Sequence, residues 1–194
     1  YGGSSWFYDG TEGTEVGFTY PTDSVDWILI SFQEDYAVFG DNDARFAAIL
    51  TEDGTVELVG GSSCVNLDVS KEYYIVVEHR NHLAVVSHEK PVIDTDALTV
   101  TYDFTLQDSL TTADMVTDGQ TGQMAAGAHF AMKWADANGD GIVDATDQAL
   151  VTAATAAPHV DTYEAENLNF NNLVNATDLA VVNANVGKRS ILNY

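Results

Sequence analysis

The stretch Asp136-Ala-Asn138-Gly-Asp140-Gly141-Ile142-Val-Asp144-Ala-Thr-Asp147 places oxygen-bearing side chains at positions 1, 3, 5, 9 and 12 of a twelve-residue loop. Calcium takes six to eight hard oxygen ligands, and a loop of this length supplies them from alternate positions, with a backbone carbonyl at position 7 and an acid at position 12. Ile142 stands where that carbonyl is needed and Asp147 where the acid is needed, while Gly141 at position 6 permits the sharp turn around an ion. Asn-Gly-Asp-Gly is also good turn chemistry. A bare turn, however, leaves four carboxylates converging, each pair within about 5 Å repelling by about 3 kcal/mol at an effective dielectric near 20. The spacing therefore predicts a counter-ion, with Asp136, Asn138, Asp140, Ile142, Asp144 and Asp147 as ligands. Calcium fits better than magnesium, which demands near-octahedral geometry and keeps more of its water.

Displaced by 31 residues, Leu173-Val-Asn175-Ala-Thr-Asp178 lies over Ile142-Val-Asp144-Ala-Thr-Asp147. Each copy runs from a loop into a short helix, the first ending at Pro158 and the second at Gly187. This internal duplication resembles the dockerin type I repeat over about residues 134 to 187. That resemblance implies two calcium loops, each with an exiting helix, and a cohesin-like protein as partner. The second loop departs from the pattern: Asn167, Asn169, Asn171 and Asn175 stand where acids are expected, Asn172 replaces glycine, and Asp178 alone is ionised. With Leu173 for the carbonyl, these residues form a second site expected to be weak or empty, because affinity follows ligand charge.

Thirty acids against seven bases, a formal charge of −23, oppose binding to nucleic acid or to an anionic membrane surface. The acidity suits a calcium-rich or saline exterior. No segment is apolar enough to cross a membrane. The chain opens without the basic-then-apolar pattern of a signal peptide, so a secreted precursor is expected to be trimmed before Tyr1. The single cysteine, Cys64, lies in an apolar alternating context and is expected to be a buried small residue.

Ahead of the repeat, short β-rich runs recur at Val16 to Tyr20, Val25 to Phe32, Phe46 to Thr51, Thr55 to Val59, Val65 to Val69, Tyr73 to Glu78, Leu83 to His88 and Leu98 to Leu106. Turn clusters such as Glu52-Asp-Gly54 separate them. The pattern predicts a mainly β chain: an antiparallel β-sandwich over residues 1–107, a linker or long loop over 108–133, and a small helical calcium-loop pair over 134–194. His79-Arg80-Asn81-His82 lacks the third ligand or nucleophile of a metal or catalytic centre and reads as a hairpin turn, with Arg80 pairing an acid. Trp27 lies in a core-like run. His129-Phe-Ala-Met-Lys-Trp134 feeds straight into the first loop, and its aromatics are expected to pack the repeat against the sandwich.

Trp6, Tyr8-Asp-Gly-Thr-Glu12, Val25 to Ile30, Tyr73 to Leu83, Tyr102-Asp-Phe104 and the Asn-Gly-Asp-Gly repeat, in that order and closing on Lys188-Arg189-Ser190, resemble a C-terminal module of large secreted and cell-surface bacterial proteins. That family implies extracellular, adhesion-like architecture and brings no catalytic residues. Nucleophile elbows, phosphate loops and zinc signatures are absent from the sequence. The expected function is thus a non-catalytic, calcium-stabilised structural or adhesion protein on the cell surface, self-associating into a fibre or binding another extracellular protein. Trp6, Phe7 and Tyr8 are the candidate partner contact, for a second copy or for a glycan. Asn175-Ala-Thr177 is formally a glycosylation sequon but is expected to be unmodified inside its loop.

Overall fold

The structure is a computed structural model that describes residues 19–38, 43–59, 65–97, 99–106, 122–156 and 164–192. These contain β1 (Ser24–Gln33), β2 (Ala44–Thr51), β3 (Val56–Leu58), β4 (Tyr74–His79), β5 (His82–Val86), β6 (Gln123–Ala126), β7 (His129–Met132), α1 (Ala145–Ala156) and α2 (Ala176–Asn185). The chain is mainly β. Its principal sheet is antiparallel with strand order β3-β2-β1-β4-β5, and β6 and β7 form a separate two-stranded ribbon. Among the described residues no helix is long and apolar enough to cross a membrane.

The central strand β1 is a near-continuous apolar run because both of its faces are covered. On one side Ile28, Ile30 and Phe32 pack with Ala48, Tyr73 and Ile75. On the other, Leu29 packs with Ala47, Ile49 and Val59, and Trp27 lies half-buried against them, as its core-like context predicts. Each such side chain contributes about 1.5–3 kcal/mol when fully buried. The β2–β3 turn follows its local chemistry. Asp53 accepts from the Thr55 amide at 2.9 Å and from the Thr51 hydroxyl at 2.8 Å, while Gly54 supplies the positive φ of 84°.

The residues covering the first face are not the strands their composition predicts. Val65, Leu67, Ile93, Val100, Tyr102 and Phe104 pack on it, yet neither 65–69 nor 99–106 forms a named strand; Thr99 makes only an isolated bridge to Asp94. Their β propensity reflects a half-buried pleated surface, which an extended segment reaches without ladder pairing. Val16 to Phe18 and Cys64 lie outside the described residues.

Residues 123–132, predicted as part of a linker, instead form the β6–β7 ribbon. Its return strand carries the chain back to the sheet, where the Leu83 amide donates to the Lys133 carbonyl at 2.7 Å. Gly122, just before β6, is held so close to β5 that a Cβ there would lie 2.0 Å from the Ala84 carbonyl oxygen. Gly122→Ala is therefore expected to force the ribbon off the sheet, costing about 1–3 kcal/mol as an overpacking substitution. Chemical denaturation measures this, and a wild-type midpoint would refute the close approach.

Candidate metal loops and their seat on the sheet

The two loops fold alike despite their different charge. In the first, the Asp147 carboxylate accepts from the Ala137 amide at 2.8 Å, the Asn138 amide at 3.2 Å and the Asp144 amide at 2.7 Å. In the second, Asp178 accepts from Leu168 at 2.9 Å, Asn169 at 3.3 Å and Asn175 at 2.9 Å. Each acid closes its loop and caps the helix that follows; in α2 the reciprocal bonds of Asn175 and Asp178 form a capping box. The fold needs this bond pattern, and the pattern accounts for the retention of an acid at position 12 in both copies.

Backbone conformation repeats as well. Positions 4 and 6 have positive φ in both loops: Gly139 (69°) and Gly141 (83°) in the first, Phe170 (56°) and Asn172 (62°) in the second. Asparagine tolerates the left-handed region, whereas a phenylalanine there is an outlier carrying about 1–2 kcal/mol of strain.

The paired apolar positions Ala137 and Leu168, Val143 and Val174, and Val151 and Val182 form one buried core, completed by Ala135 and by Leu83 from β5. The two helices thus pack chiefly against each other, with the sheet contributing Leu83. The segment after α2 closes the first loop. Val143 donates to the Lys188 carbonyl at 2.8 Å and Ser190 to the Gly141 carbonyl at 2.7 Å, and Ile142 bridges Arg189.

Of the six first-loop candidates, Asp136 and Asp147 are buried, Asn138, Asp140 and Asp144 are half-buried, and the Ile142 side chain points to solvent. Asp136 accepts from the Asp140 amide at 3.1 Å and the Gly141 amide at 2.9 Å. Burial, reinforced by the charges of Asp147 and Asp140, pushes its carboxyl up to about 7. Burial likewise raises Asp147. In the second loop Asn167 and Asp178 are buried, Asn169 and Asn175 half-buried, and Asn171 and Leu173 exposed. The Asn167 side-chain oxygen is buried and makes no hydrogen bond. Among the described residues no group of three or more His, Cys, Asp or Glu side chains is arranged to hold a metal ion.

Both loops seat on the turn between β4 and β5, which has the hairpin geometry predicted for His79 to His82. Antiparallel pairing of Ile28 with His79 brings the start of β1 alongside, so that Asp26 meets His79 Nε2 at 2.9 Å and Arg80 Nε at 3.5 Å. Arg80 thus has an acidic partner. The first loop joins through its backbone: Trp134 bridges His82, and the Ala135 amide donates to the Asn81 carbonyl at 3.0 Å. The second joins through side chains. Asn81 Nδ2 donates to the carbonyls of Ala165 at 3.0 Å and Asn167 at 3.3 Å, and Arg80 donates to that of Glu164. Phe170 stacks on His82 with ring centres 5.7 Å apart, meets His79 edge-on at 5.9 Å, and faces the Arg80 guanidinium at 5.3 Å. Phe170 itself stays partly open to solvent, 43% exposed.

The joint expected from His129 to Trp134 therefore exists, but its aromatic contact comes from Phe170. A signal was present in the repeat, where a phenylalanine falls on the position held by Gly139. Trp6, Phe7 and Tyr8 lie outside the described residues. Comparison with protein-family models, with curated proteins and with solved structures found no match.

Proposed function

We propose that this chain is a non-catalytic, extracellular structural or adhesion module in which calcium braces a dockerin-like loop-helix pair against a β-sandwich. The observation that carries this reading is the concentration of charge in the first loop. Burial, with the charges of Asp147 and Asp140 adding to it, pushes the Asp136 carboxyl up to about 7, so the loop holds its acids at a cost when no cation is bound. A divalent ion supplies the missing counter-charge, and the ligands would be Asp136, Asn138, Asp140, Asp144 and Asp147 with the Ile142 carbonyl. The second loop keeps the same backbone path, and the unpartnered oxygen of Asn167 suits a cation, but one carboxylate makes that site the weaker. The ion does no chemistry in this role; it joins a loop to the sheet behind it.

Surface location and self-association follow from the same reading. High net negative charge keeps subunits apart until calcium is present. A cohesin-like partner is the second reading. It is favoured by the outward residues Thr152, Ala153, Ala180, Asn183 and Ala184 of α1 and α2, which lie exposed. A glycan contact through Trp6, Phe7 or Tyr8 is the third.

Calcium calorimetry paired with a melting curve tests the proposal. One strong site is expected, with a stabilisation of about 2.7 kcal/mol at a free concentration one hundred times Kd. Electron microscopy of the same sample in calcium and in chelator tests assembly. An unchanged melting curve on chelation would remove the calcium reading, and monodisperse particles in both would remove the fibre.

A further inference from the structure

Among the described residues outside the two loops, a group of titratable side chains gathers beneath Phe170. Asp26 and His79 are buried and His82 is half-buried. The contacts set the direction of the hydrogen bonds within the group. Asp26 accepts from His79 Nε2, which leaves His79 Nδ1 as a lone pair. His82 Nδ1 lies 3.0 Å from that nitrogen and 2.7 Å from the Asn81 side-chain oxygen, so it faces two acceptors and carries the hydrogen. In this arrangement His82 carries its hydrogen on Nδ1, and Asp26 lies 3.5 Å from Arg80 Nε.

A further proton breaks this arrangement wherever it lands. On His79 Nδ1 it sets two N–H donors head to head at 3.0 Å. On His82 it adds a second cation to a group whose one anion already faces Arg80. The titratable and charged groups facing His82 are Asp26 from β1, His79 from β4 and Arg80 from the turn. The second loop contributes the Phe170 ring and the carbonyls of Glu164, Ala165 and Asn167, and the start of the first loop contributes the uncharged Trp134.

We propose that this cluster is a proton-operated latch: neutral, it clamps the second loop to the β4–β5 turn through Phe170, and protonated, it lets that loop go. The latch goes beyond the calcium reading and does not depend on it. Burial, with His79 beside it, holds His82 well below its ordinary range. A released His82 takes its proton at about 6.5, so the clamped state is favoured above that pH and weakens below it. For one proton the clamping equilibrium falls by up to about tenfold per pH unit. Asp136 has the opposite sign in calcium-free protein, since its raised carboxyl loses its proton at a cost as the pH rises towards 7. The two effects are separable because only one involves His82.

Hydrogen exchange of the full chain at saturating calcium, corrected for intrinsic rates and compared at pH 7.5 and pH 5.5, tests the latch. In the wild type, protection of residues 79–83 and 164–172 is expected to fall by about tenfold at the lower pH relative to the α1–α2 core. His82→Phe keeps the stack on Phe170 without titrating, and is expected to hold its protection at both values. Equal protection at both pH values in the wild type, or the same loss in His82→Phe, would overturn the proposal. Should that variant not fold, nuclear magnetic resonance of the wild type decides. The Phe170 ring signals should move with the His82 titration, and an ordinary histidine midpoint with no change at Phe170 would count against the latch.

Discussion

Asp147→Ala is expected to abolish calcium binding by the first loop and to destabilise the fold by about 3–5 kcal/mol even without the ion, since each buried donor left unpaired costs about 1–3 kcal/mol. The amides of Ala137, Asn138 and Asp144 all lose their acceptor. Asp178→Ala is the matched comparison, because Asp178 serves the same three positions of the second loop. In chelator the two variants should lose similar stability. In calcium they should diverge, with Asp178→Ala keeping most of the metal-induced melting shift and Asp147→Ala keeping none. Calorimetry and melting curves measure both, and wild-type calcium affinity in Asp147→Ala would defeat the assignment of the strong site.

The second large effect lies in the sheet, away from any metal. Glu78 on β4 and Arg45 on β2 reach across β1 to form an ion pair of 2.7 Å, the Glu78 side chain only 2% exposed, and Arg45 also donates to Ser31 at 3.0 Å. Removing one partner of such a pair costs about 3–5 kcal/mol because the other charge is stranded. Glu78→Ala is expected to fall in that range in denaturant unfolding. Glu78→Leu combined with Arg45→Met is expected to recover most of the loss, since apolar side chains of similar volume need no counter-charge. A cost below about 1 kcal/mol for Glu78→Ala would show that solvent reaches the pair and screens it.

The two repeated loops were the most legible part of the sequence. The bonds that their own carboxylates accept span ten residues or fewer, so residue identity at positions 1, 3, 5, 6, 9 and 12 already specifies most of the path of the chain. The duplication reinforced this, as Asp147 and Asp178 do the same work. The strands from 25 to 32, 46 to 51, 73 to 78 and 83 to 88 were legible for a related reason: alternating or continuous apolar runs have few ways to be buried. Val65 to Val69 and Leu98 to Leu106 were less so. An extended apolar segment has the same composition whether it joins a ladder or merely covers one, and only its neighbours decide. The ribbon at 123–132 was missed because Ala, Gly and Met carry little strand signal.

That the repeat packs on the sheet was expected from His129 to Trp134, but the contacts that make the joint were not legible, because its parts are remote in the chain. Asp26 meets His79 across 53 positions, and Asn81 reaches Ala165 across 84. In the sequence, His79 to His82 are two histidines without a third ligand, and Phe170 is an odd residue in a weak copy of a loop. Local chemistry by itself determined the path of each loop, because the acids that close it and the backbone turns between them lie within one short segment. Only the tertiary structure decided what that loop pair is fastened to. Strand pairing brings Asp26 to the β4–β5 turn and the shared core sets the second loop above it, and neither placement is encoded in any single stretch of residues.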